Sequence, residues 1–132
     1  MSSTLVFYYK RSDFDTSAVL CNNSNSFYQT NLAPIYNDLP NLNVIGAVML
    51  NLTYYNTDAF GYINGVITFY INGKGTVGYI HSFRNPTTLL ITGTVLKTEI
   101  NFKSGLYEGK NGYILTKVLD KNNVEVSVVI TN

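Results

Sequence analysis

Few side chains in this sequence could carry chemistry. His81 is the sole histidine and Cys21 the sole cysteine, too few to assemble a ligand set for a metal. Asp13, Asp15, Asp38, Asp58 and Asp120 look like turn residues, whose carboxylates accept from nearby backbone N–H groups. We expect neither a metal nor a cofactor. A nucleophilic triad would need His81 as its base. Beside Tyr79, Ile80 and Phe83, His81 reads first as a packed strand histidine, and as a proton donor or acceptor only if it faces a pocket. Lys97 and Glu99, two apart, share one strand face and read as a solvated pair. Lys10-Arg11 offers a place for an anionic group, or an exposed strand end. Gly73-Lys74-Gly75 lacks the remaining spacing and the helix of a phosphate loop, which leaves a hairpin turn.

The elements that would position these groups are all strands. The organising stretch is Pro86 to Tyr113, expected as two long strands joined across Gly105, with Gly105, Gly109 and Gly112 supplying a flexible corner. Thr87 to Thr94 is β-branched or aliphatic, and Val95 to Phe102 alternates apolar with polar residues. Leu5 to Tyr9, Thr16 to Cys21 and Val44 to Tyr55 read as further strands. Tyr62 to Ile71 and Thr76 to Phe83 form a hairpin across Asn72-Gly73-Lys74-Gly75, and Tyr113 to Leu119 with Val124 to Thr131 form the last one. The segment at about 22–43, with two prolines and many asparagines, is expected as a long loop. No helical period runs through ten or more residues. Closing such a meander on itself removes both edges, so the expectation for residues 1–132 is a single all-β domain, an eight-stranded antiparallel up-and-down β-barrel.

Composition removes several function classes. A net charge of +1 and a charged fraction of 13% leave no electrostatic footprint for nucleic acid or anionic lipid. One cysteine excludes an internal disulfide. No apolar run approaches the roughly 18 residues of a membrane span, and the first residues lack the pattern of a signal peptide. We read the chain as soluble, with its location left open between the cytoplasm and a virus particle.

The strands resemble those of the dirigent and allene oxide cyclase family. LVFYYKRSDFDTSAVLC is similar to the first dirigent strand and the segment after it, and NPTTLLITG to a Gly-Ser-Thr-Leu-x-Ile-x-Gly strand. KTEINFKSGLYEGKNGYIL resembles the Arg-Glu stretch leading into a Gly-rich corner, NNVEVSVVI the closing strand, and Gly61 and Gly65 fall on a Gly-Arg-x-x-Gly strand. The resemblance implies an eight-stranded barrel of that type, commonly a homotrimer, with an axial apolar pocket in which radicals are coupled or reactive intermediates cyclised. The polar residues credited with dirigent chemistry do not carry over: Lys10-Arg11, Asn51-Leu52 and Tyr62 stand at their positions.

Two readings follow. In the first, the barrel binds a small, mostly apolar or aromatic molecule in its central pocket, whose wall candidates are Phe7, Tyr9, Arg11, Asn51, Tyr62, Asn64 and His81. An enzyme on this scaffold would be a cofactor-free cyclase, an isomerase or a dirigent-type protein, acting by positioning and exclusion of water. The lack of motifs weighs towards binding without catalysis. In the second reading the barrel is a structural or assembly protein, such as a virion or surface-coat component. Low charge, eleven tyrosines and many asparagines suit a sticky surface, and a solidly filled interior would favour this reading.

Overall fold

The computed structural model describes residues 3–14, 19–23, 26–55, 62–84 and 91–132, with backbone alone described at 3, 19–23, 26–30, 54–55, 62–63 and 81–84. Among these residues nine strands follow one another: β1 (Ser3–Lys10), β2 (Val19–Asn23), β3 (Ser26–Tyr36), β4 (Val44–Tyr55), β5 (Tyr62–Ile71), β6 (Gly75–Arg84), β7 (Val95–Asn101), β8 (Asn111–Val118) and β9 (Asn123–Ile130). They lie in one sheet in the order β6-β5-β4-β3-β1-β9-β8-β7, with β2 also on β3. β1 meets β3 at Tyr8↔Tyr36, and β2 meets it from Val19↔Gln29 to Asn23↔Ser26. The two therefore share one place beside β3, and eight antiparallel places make a nearly closed barrel. Among the described residues the helical content is one 3-10 turn, Arg11–Asp13, and no helix is long and apolar enough to cross a membrane.

The order is that of an up-and-down meander, with one difference in where it closes. First and last strands pair along their whole length, Ser3↔Ile130 to Lys10↔Asn123. The open seam lies instead between β6 and β7, which share no ladder among the described residues. The Leu106 N–H bridges that seam by donating to the Thr76 carbonyl at 2.7 Å.

Alternation decides what fills the barrel. β9 buries Val124, Val126, Val128 and Ile130 and turns the residues between them outwards, as a strand period of two requires. Phe7, Ile35, Val48, Phe69 and Ile114 come from five other strands and are at most 1% exposed. The Phe7 and Phe69 rings meet edge-on with centroids 4.6 Å apart, and each such ring contributes about 1.5–3 kcal/mol by leaving water.

The turns behave as their residues dictate. Gly73 and Gly75 have φ of +74° and +128°, and the Lys74 N–H donates to the Ile71 carbonyl at 3.0 Å, closing the expected hairpin. In the last hairpin the Asp120 carboxylate accepts from the Asn122 and Asn123 N–H groups, each at 2.8 Å. Between β7 and β8 the corner 102–110 turns at Gly105, φ +85°. A Cβ there would stand 2.2 Å from the Thr76 carbonyl oxygen, the atom that bridges the seam. Gly105→Ala is thus expected to lower urea-unfolding stability by about 2 kcal/mol or more, whereas Gly73→Ala, with nothing within 4 Å of its Cβ, is expected to lose about 1 kcal/mol. Equal losses would mean that the corner does not hold the seam.

Two expectations change. The segment at about 22–43 is not one long loop: β3 runs through it as an eleven-residue strand, paired with β4 from Ser26↔Tyr55 to Tyr36↔Val44. Its polar residues and Pro34 resemble turn chemistry, but from 30 to 35 β3 has ladder pairs only to β4 among the described residues. A proline is tolerated on such a free side. In the same stretch the Asn31 side-chain oxygen accepts the Leu32 N–H at 2.8 Å. The true turn is shorter, with Asn37 N–H donating to the Asn43 carbonyl at 3.0 Å. The strand expected over Thr87 to Thr94 lies largely outside the described residues. What is described of it, from Ile91, is a turn in which the Thr94 N–H donates to the Ile91 carbonyl at 3.1 Å.

Candidate functional site

The interior is apolar except at Asn31 of β3, which is 9% exposed on the face of Ala33 and Ile35, and at one level of hydroxyls. There Tyr79 of β6 and Thr116 of β8, 6% and 8% exposed, share a hydrogen bond between their hydroxyls. Both occupy inward positions: Val77 precedes Tyr79 on its face, and Ile114 and Val118 flank Thr116. Tyr9 of β1 completes the group, near enough for its phenol to act electrostatically on that of Tyr79. These hydroxyls border a cavity of about 20 Å³ whose apolar lining includes Val48, Ile67, Phe69 and Val126. That is room for one water at most.

Burial pushes the Tyr79 phenol well above the ordinary tyrosine range; Tyr9 adds to the rise and the Thr116 hydroxyl opposes it. Tyr79 therefore stays protonated at any working pH and can act as a hydrogen-bond donor, not as a base. Placing hydroxyls in an apolar interior carries a desolvation cost that a valine or phenylalanine would avoid. A donor held in a water-poor space is the kind of group that stabilises charge growing on a carbonyl oxygen.

The 3-10 turn borders this level. Phe14 follows it directly, and its ring stands edge-on to Tyr9 with centroids 5.7 Å apart. Three contacts hold the turn in place: the Arg11 N–H donates to the Asn122 carbonyl at 2.7 Å, the Ser12 N–H donates to the Asn122 side-chain oxygen at 2.8 Å, and the Tyr36 hydroxyl donates to the Asp13 carboxylate at 2.7 Å. Burial, and after it this hydrogen bond, pushes the Tyr36 phenol up to about 12. Between pH 10 and 12 the folded chain keeps a proton that the unfolded chain has lost, so stability falls as pH rises through that window. Tyr36→Phe is expected to flatten the fall in urea midpoint over this range, and an unchanged slope would assign it to other groups.

The seven sequence candidates are not gathered in one place. Phe7 is fully buried against Phe69, and Tyr9 stands at the hydroxyl level. Arg11 lies on the 3-10 turn, partly buried. Asn51 and Asn64 take the outward positions of β4 and β5, because Val48, Leu52, Ile67 and Phe69 set the inward ones. Asn64 is exposed. Tyr62 pairs with Tyr55 and Arg84, and His81 with Gly65; the side chains of both lie outside the described residues. Lys97 and Glu99 form an ion pair of 3.2 Å at 53% and 75% exposure, a solvated pair of little energetic weight. Among the described residues no three His, Cys, Asp or Glu side chains cluster as metal ligands. Sequence reasoning passed over Tyr79 and Thr116, although a hydroxyl within each apolar strand was the available signal.

No family model matches the chain, and neither does any curated protein. Several solved structures share its fold. One is a nonspecific heme-binding cyclase that catalyses a 4 + 2 cycloaddition during neoabyssomicin biosynthesis, with TM-score 0.65 and 13% identity over 98% of this chain and 66% of that one. Another is AbnU, an exo-specific intermolecular Diels–Alderase, with TM-score 0.61 and 11% identity over 98% of this chain and 96% of that one. The chain spans about two thirds of the first. At such identities the likeness is one of fold: these neighbours are cyclase and Diels–Alderase barrels.

Proposed function

We propose that this barrel binds a small, mostly apolar, unsaturated molecule and steers its cyclisation. The hydroxyls of buried Tyr79 and Thr116 and of half-buried Tyr9 carry the reading, since they set hydrogen-bond donors into a mostly apolar chamber. The apolar walls, Phe7 and Tyr9 among them, would hold the reacting atoms in contact, and the Tyr79 hydroxyl would donate to a conjugated carbonyl and draw electron density from the alkene it is conjugated with, making that alkene a better acceptor of electrons from the diene. A ring closure of this kind needs no titrating base, in keeping with a phenol that stays protonated. The cavity of about 20 Å³ is far smaller than such a substrate, so binding requires the interior to open. The cycloaddition-catalysing neighbours and the dirigent-like strands support the same reading.

Native mass spectrometry of freshly purified protein, set against its denatured mass, tests the proposal. A mass excess lost on denaturing, or a rise in melting temperature with a member of an apolar polyene and aromatic panel, is the expected result. A ligand-free oligomer that no member of the panel stabilises would sink it.

That outcome would favour the second reading, a structural or assembly protein built as a homo-oligomer such as a trimer. Its supporting observation is the outer face, where Leu32 and Ile80 are 64% and 71% exposed and Met49 and Val66 are exposed between them.

A further inference from the structure

A groove of about 320 Å³ lies along the β6–β7 seam. Val66, Thr68 and Ile80 line one lip, Ile100 and Lys103 the other, and Gly78 leaves its middle open. Tyr79 borders this groove and also the interior cavity. At this level one residue of β6 is shared between the outer and inner spaces.

Three observations make this wall the part of the barrel that opens. Between β6 and β7 no ladder is present among the described residues, and the backbone bridge from Leu106 to Thr76 lies at the 102–110 corner, at one end of the seam. Along its whole length β7 buries no residue, whereas β8 and β9 bury every second one. Little apolar area holds β7 against the body, and segments held by little buried area open at the lowest free energy. Finally, the interior void has no room for an organic molecule unless a wall moves.

We infer that the barrel's ligand enters sideways, by parting of β6 from β7, and that the groove holds its apolar portion against Val66, Ile80 and Ile100 while its oxygen reaches the Tyr79 hydroxyl. The inference rests on the binding reading above. It selects an unsaturated, mostly apolar molecule with one accepting oxygen, and Lys103 at the lip favours a neutral or anionic oxygen over a cation.

Gly78 makes the entrance testable. Its φ is not positive, and an added Cβ would meet nothing closer than the Thr68 hydroxyl at 3.4 Å, so a Cβ is accommodated there and a side chain built on it projects into the groove. The experiment is a methyl NMR titration of the full chain with 2-naphthol, reading Ile80 and Ile100 in the groove and Ile114 and Val126 inside. In the wild type both sets are expected to shift and to saturate together. In Gly78→Phe the interior shifts are expected to disappear, or their association rate to fall by about tenfold or more, with Gly78→Ala behaving as the wild type. Should Gly78→Phe not fold, Asn101→Trp, at the groove-lining residue beside Ile100, blocks the opposite lip. If the interior methyls respond equally fast in the blocked variant, the side entrance is overturned and the binding reading stands. If only the groove methyls move, the groove is a surface site and the entrance is again overturned. If no methyl moves in the wild type, both readings fall together.

Discussion

Replacing Phe69 with alanine is expected to remove about 4 kcal/mol of folding stability, the usual range for a buried ring truncated in a packed core. Phe69 is 1% exposed. It takes the edge of Phe7 at 4.6 Å and stacks on Tyr79 at 6.2 Å between centroids, so its loss frees two aromatic neighbours at once. It also borders the small interior cavity, and the vacated space would join that void into a larger chamber, apolar apart from its hydroxyl level. Such engineered chambers bind benzene. The prediction is therefore double: a lower urea midpoint for Phe69→Ala, and partial recovery in benzene-saturated buffer that the wild type does not show. A loss below about 1 kcal/mol would mean that the interior relaxes around the gap, and that the chamber described here is not rigid.

Tyr79→Phe is expected to cost little stability and much activity. Removing the phenol leaves the buried Thr116 hydroxyl without its partner, worth about 1 kcal/mol. On the cyclisation reading it also removes the donor aimed at the carbonyl, for which a fall of about 100-fold in single-turnover rate is expected, with substrate affinity almost unchanged. The measurement pairs a diene–dienophile substrate with both proteins and follows product over time. A rate unchanged within a factor of about two would assign the phenol to packing alone and withdraw its catalytic role. Thr116→Val serves as a companion: it keeps shape while deleting the hydroxyl that orients Tyr79, and a smaller rate loss is expected from it.

How much of this was legible depended on whether a residue's environment could be set by its neighbours in sequence. Asn72 to Gly75 announced a hairpin because glycine alone accepts those backbone angles cheaply, and the hairpin is there. β9 announced its register, since Val124, Val126 and Val128 alternate with Glu125 and Ser127. β4 and β5 gave no such sign. Both faces are apolar, with Val48 and Ile67 inside but Met49 and Val66 each 43% exposed outside, so the period of two has no polar partner to fix its phase. A one-residue slip then exchanges the faces, and that is how Asn51 and Asn64 came to be expected inside. β3 was hidden because Asn31 and Pro34 stand where, among the described residues, no second ladder constrains them. Tyr79 was hidden because a strand tyrosine looks alike whether its hydroxyl meets water or a buried threonine. The place of the open seam depends on closure of the whole sheet, which no local pattern reports.

Pairing of the first strand with the last also sets how the chain finds this fold. Most ladders join strands that follow one another, so β3 to β6 and β7 to β9 can zip as two separate meanders. The ladder between β1 and β9 is different: it brings Ser3 to Ile130 and must close a loop of nearly the entire chain before it gains anything. β1 touches both meanders, β9 along its full length and β3 at Tyr8↔Tyr36. Docking of β1 is thus expected to be the slow step, and until it occurs the two meanders present four unpaired margins instead of the finished barrel's two. Newly made chains pass through their most aggregation-prone moment there, and conditions that speed the capture of residues 3–10 protect the yield of native protein.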